Sequence, residues 1–113
     1  MRSSSPFAQG ALVLITLNSP REKFWGAVLD VNPAGISVRG IDLVSFDEIT
    51  AMLRSDDHVM PATVFFPLNR MERMELDAGN GPIPSLAERF AAKSGHSAAQ
   101  FFGVDTEAAE ETF

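Results

Sequence analysis

The stretch REKFWGAVLDVNPAGISVRGIDL, residues 21–43, decides the fold. Its apolar residues alternate on either side of a Pro-Ala-Gly turn, so it predicts a β-hairpin. In the first arm Trp25, Ala27, Leu29 and Val31 share one face, and Phe24, Gly26 and Val28 share the other. In the second arm Ile36 and Val38 lie on one face; after Gly40 the apolar phase passes to Ile41 and Leu43. Glycine inside a strand weakens it, so Gly26 either lets the chain bend or makes room for a neighbouring ring. The phase change at Gly40 predicts a bulge. A glycine in the middle of each arm predicts strands that curl sharply, as the corners of a small barrel require.

The flanking segments extend this β pattern. ALVLITL, residues 11–17, is apolar and partly β-branched and predicts a strand, followed by a turn at NSPRE, residues 18–22. Residues 1–10 are Ser-rich and predict a flexible N-terminus with Phe7 as an anchor. SFDEITAMLRSDD, residues 45–57, predicts a short helix after the third strand. Ser45 and Glu48 have the spacing of a capping box, and Ile49, Met52 and Leu53 form an apolar stripe. ATVFFPLNRMERMEL, residues 62–76, predicts a strand, a break at Pro67 and a second short strand. Val64 and Phe66 face one way, Thr63 and Phe65 the other, and Met74 and Leu76 are buried on the second strand. DAGNGPIP, residues 77–84, reads as a linker. Ser85 and Glu88 then open a helix with the stripe Leu86, Ala87, Phe90 and Ala91, stopped by Gly95; residues 96–102 add a turn or two before Gly103.

A chain of 113 residues fits one domain. It has no cysteine, which removes disulfides, thiolate metal sites and a thiol nucleophile, and fits a cytoplasmic setting. No run approaches the ~20 apolar residues of a membrane-spanning helix. The N-terminus lacks a small-residue cleavage site after its apolar run, so no signal peptide is expected. Net charge is −6, and Asp105, Glu107, Glu110 and Glu111 make residues 105–113 an acidic tail. An acidic chain repels phosphate overall, which disfavours nucleic acid as a general partner.

No catalytic constellation stands out, and the chain reads as a non-enzyme without a cofactor. His58 and His96 are far apart in predicted loops. The HExxH, P-loop and GxSxG patterns are absent. Asp47 and Glu48 suit a helix N-terminus better than acid–base chemistry. Ala91, Gly95 and Ser97 have the spacing of a helix-turn-helix, yet residues 96–113 hold no Lys or Arg, so DNA binding by that route is not expected.

The order strand, long bent hairpin, strand, break and short strand resembles the Sm-like barrel of the Sm, LSm and bacterial RNA-chaperone proteins. KFWGAVLDVNPAGISVRGI resembles that family's first motif, with a mid-strand glycine at Gly26, and TVFFPLNRMERMEL resembles the second. The resemblance covers residues 11–77 and implies a five-stranded, strongly bent barrel; residues 78–104 lie outside that pattern and are expected to form a linker and helices packed on it. Family members commonly form rings through edge strands, which implies a homo-oligomer with Thr63, Val64, Phe65 and Phe66 at the pairing edge. An RNA or ligand rim would fall on Asn32, Arg39, Asn69, Arg70 and Arg73. The chain departs from the family there: Asn32 stands where Asp is usual, and Leu68-Asn69-Arg70-Met71 replaces the Arg-Gly or Lys-His pair. The leading expectation is therefore a non-catalytic, self-associating Sm-like interaction module. RNA binding and a small enzyme or accessory subunit are the alternatives.

Overall fold

The predicted hairpin forms the centre of the sheet. In the computed structural model, which describes residues 5–104, β2 (Glu22–Asn32) and β3 (Gly35–Asp42) pair antiparallel around the Pro33-Ala34 turn. Asn32 Oδ1 accepts from Ala34 N at 2.8 Å and closes that turn. Around the hairpin lie β1 (Leu12–Leu17), β4 (Ala62–Pro67) and β5 (Met71–Leu76). All neighbours are antiparallel in the order β4-β3-β2-β1-β5. β4 and β5 end that order and do not pair with each other, so the sheet is open where a closed barrel was expected. The described architecture is a five-stranded antiparallel sheet with three helices: α1 (Phe46–Arg54), α2 (Leu86–Ser94) and α3 (Ala98–Phe102).

The central glycines allow a close approach of two backbones. Gly26 and Gly40 stand directly opposite each other in an unbroken register. A Cβ on Gly26 would lie 2.3 Å from Arg39 O, and one on Gly40 would lie 2.2 Å from Trp25 O. The two backbones thus meet where no side chain fits. The bulge lies elsewhere, in β2 between Val28 and Asp30. It reverses the phase of the strand, so Val31 is exposed and does not continue the Trp25–Ala27 face. The apparent phase change at Gly40 has a simpler cause: both faces of the sheet are apolar, and Ile41 belongs to the opposite face from Ile36 and Val38.

One face is sealed by helices. Trp25, Ala27 and Ile41 pack against Phe46 and Leu53 of α1, Phe90 of α2 and Ala98 and Phe102 of α3. Trp25 is fully buried, with Phe46, Phe90 and Phe102 ring centroids 5.6, 5.3 and 4.8 Å away. Its indole Nε1 donates to Asp77 Oδ2 at 3.1 Å. Asp77 also accepts from Leu86 N at 2.7 Å and Ala87 N at 2.8 Å, so one carboxylate joins the central tryptophan to the start of α2. The other face carries Val13, Ile15, Leu17, Phe24, Val28, Ile36 and Val38, all buried, with Val64, Phe66, Met71 and Met74 partly buried around them.

Several local expectations change. Ser85 and Glu88 form the complete capping box, and Gly95 and Gly103 end α2 and α3 in the left-handed region. Ser45 makes no side-chain cap, because a 3-10 turn at Leu43–Ser45 leads straight into α1. In α1 Phe46, Thr50 and Leu53 are buried and Ile49 packs half-buried on the same cluster, whereas Met52 is exposed. Ala91 is exposed and Ser94 is buried, its hydroxyl donating to Phe90 O at 2.7 Å. Leu76 is exposed where burial was expected. In the N-terminal segment Phe7 packs on the second cluster and Gly10 N donates to Val28 O at 2.8 Å, so that part is tied down. Within the linker Asn80 and Ile83 exchange two backbone hydrogen bonds. The acidic tail lies outside the described residues.

Candidate interaction site at the open sheet edge

Pairing parity decides what β4 offers to a partner. Leu68 N donates to Ala34 O at 2.9 Å, in line with the register that sets Ile36 opposite Phe66 and Val38 opposite Val64. Hydrogen-bonded pairs recur every second residue in an antiparallel ladder. Ala62, Val64 and Phe66 therefore direct their peptide groups to β3, and Thr63 and Phe65 direct theirs outward. Pro67 falls in the outward set, where its missing N–H breaks no ladder bond. Among the described residues no strand pairs with this edge.

The side chains of β4 divide the same way. Val64 and Phe66 join the second apolar cluster, and Phe66 meets Phe24 edge-on at 5.2 Å. Thr63 and Phe65 lie on the helix side of the sheet. Phe65 is 48% exposed, with its ring over Gly35, where a Cβ would approach Phe65 Cζ to 2.8 Å. Arg39 reaches across β4: its Nε donates to Thr63 Oγ1 at 3.1 Å and its Nη1 to Phe102 O at 3.1 Å. β4 itself has no charged residue. Such an edge is a ready template for a further strand.

The β5 edge is of another kind. Asp77 N donates to Leu12 O at 2.9 Å, and the register then turns the peptide groups of Glu72, Met74 and Leu76 outward. Glu72, Arg73 and Glu75 charge this strand. Arg73 pairs with Glu75 at 2.9 Å and Arg21 with Glu72 at 3.7 Å. Charge of this kind blunts an edge.

The expected rim residues separate. The Leu68 N–Ala34 O bond brings the 3-10 turn of Leu68, Asn69 and Arg70 beside the hairpin turn that starts at Asn32. Arg70 is engaged within the chain, donating from Nε to Asn18 O at 2.8 Å and from Nη2 to Pro20 O at 3.2 Å. Arg39 lies beside α3, and Arg73 lies on β5 opposite Thr16. The five residues therefore do not converge. His58 and His96 are exposed, and among the described residues no three His, Asp or Glu side chains could hold a metal ion together. Among the described residues no helix is long and apolar enough to cross a membrane.

The peptide direction along β4 escaped the sequence reading. One signal was available: Pro61 and Pro67 bracket a charge-free stretch. No family model, curated protein or solved structure matches the chain.

Proposed function

We propose that this protein is a non-catalytic interaction module that associates with copies of itself through the β4 edge, on a small bent sheet of the Sm-like kind. The observation that carries the reading is the edge itself: Ala62–Pro67 has outward peptide groups, no charge and a half-exposed Phe65.

Two hydrogen bonds support strong bending. Leu68 N meets Ala34 O, beyond one end of β2, and Arg70 O accepts from Asn18 N, beyond the other end. Leu68 and Arg70 can be at most about 7 Å apart along the chain. β2 has 11 residues and would span about 33 Å if straight. A curled β2 reconciles the two distances, and the bare backbones at Gly26 and Gly40 leave room for it. The strand order and the two-sided apolar sheet suit the same architecture.

Light scattering coupled to size exclusion tests the function. A mass of two or more subunits at physiological salt is the expected result. A single-subunit mass across the micromolar range would overturn it.

A further inference from the structure

The association proposed above leaves open which edge meets which. In an antiparallel ladder, residues directly opposite one another share a face and orient their peptide groups alike. Suppose β4 met β5 of a second copy in this way. The outward peptide groups of Thr63 and Phe65 would have to meet those of Glu72, Met74 and Leu76. With Thr63 opposite Leu76 of the partner subunit and Phe65 opposite Met74 of the partner subunit, Val64 and Phe66 would then lie opposite the partner's Glu75 and the partner's Arg73. That sets partly buried apolar side chains against charges.

Pairing of β4 with β4 of a second copy has no such conflict. With a two-fold axis through Val64, Thr63 faces the partner's Phe65, and Phe65 faces the partner's Thr63. The four outward N–H groups at these positions all meet carbonyl oxygens. On the inner face Ala62, Val64 and Phe66 meet the partner's Phe66, Val64 and Ala62, all apolar. At both ends Pro61 meets the partner's Pro67, so the ladder stops where neither chain has a donor to satisfy. On the outer face the Arg39 guanidinium, held at Thr63 Oγ1, comes beside the partner's Phe65 ring, an arrangement that attracts a cation to an aromatic face. The contact is isologous and closes on itself.

We propose that β4 is a self-complementary interface that pairs two copies of this chain antiparallel about Val64. This rests on the self-association reading and specifies its geometry. Val64 would face the partner's Val64 in a non-hydrogen-bonded pair, with Cα atoms about 4.5 Å apart. That separation suits a disulfide, and the chain has no other cysteine to compete. Thr63 and the partner's Thr63 would be about 8 Å apart, too far to bridge.

The test combines mass and cross-linking of the full chain. Wild-type protein is expected at twice the chain mass. Under mild oxidation Val64→Cys should convert to a covalent dimer, and Thr63→Cys should not. Phe65→Lys places an ammonium beside the partner's Arg39 and should weaken dimerisation about tenfold or more. A monomeric wild type would sink both the association reading and this geometry. An oligomeric wild type in which Val64→Cys cross-links no better than Thr63→Cys, or only in mixtures with Glu75→Cys, would overturn the two-fold alone and point to β5. Should Val64→Cys fail to fold, the mass of Phe65→Lys decides: wild-type assembly there overturns the proposal.

Discussion

The two faces of the sheet are closed by different means. The helix side holds its aromatic residues, Trp25, Phe46, Phe90 and Phe102, under three helices of the same chain. The opposite side is mostly aliphatic, and among the described residues no helical residue belongs to its cluster. Its cover comes from Phe7 and Ala11 of the N-terminal segment and from the sheet's own outer strands, through Val64 and Phe66 of β4 and Met71 and Met74 of β5. Both faces thus bury their central residues within a single chain. They differ in what covers them: helices on one side, and the outer strands with the N-terminal Phe7 on the other.

The sharpest way to break this comparison is at Gly26. Gly26→Val puts Cβ against the backbone of Arg39, which cannot move without moving β3. A loss of about 3 kcal/mol or more is expected, seen as failure to give a cooperative urea transition. On the helix side Phe90→Ala should cost about 3–5 kcal/mol, because Phe90 is fully buried against Trp25. Its denaturation midpoint should fall equally at all protein concentrations, since that face is closed within the chain.

Phe66→Ala on the other face should cost less, about 2 kcal/mol, because the ring is only partly buried. If β4 pairs two copies as proposed, the loss should grow with protein concentration, because the second copy would add cover to Phe66. Equal losses in dilute and concentrated samples would remove the distinction between the faces. The smallest effect belongs to Asp77→Ala, about 1–2 kcal/mol. It removes two cap bonds from α2 and the partner of the Trp25 indole, so thermal melting should shift down and tryptophan emission should change with it.

Much of the fold is legible in local signals. The hairpin of residues 21–43 announces itself through alternation and turn residues, and Ser85, Glu88, Gly95 and Gly103 mark the helix ends through chemistry that acts within a few residues. The misreadings share a cause. Ser45 has the spacing of a cap, but the 3-10 turn before it sets another entry into α1. The phase change at Gly40 has the pattern of a bulge, but Ile41 is apolar because the helices cover its face. The candidate edge residues Thr63 to Phe66 were visible as an uncharged aromatic run. Which of them turn their peptide groups outward is set by the register with β3, and locally only Pro61 and Pro67 hint at it.

By itself, then, the sequence determined the strands, the caps, the absence of cysteine chemistry and the contrast between a neutral β4 and a charged β5. Those properties follow from side-chain type and short-range periodicity. Only the tertiary structure decided that Gly26 meets Gly40, that Asp77 joins Trp25 to α2, and that Thr63 and Phe65 present the free peptide groups. Each of these depends on residues distant in sequence being brought together, and so on how one strand is laid against the next.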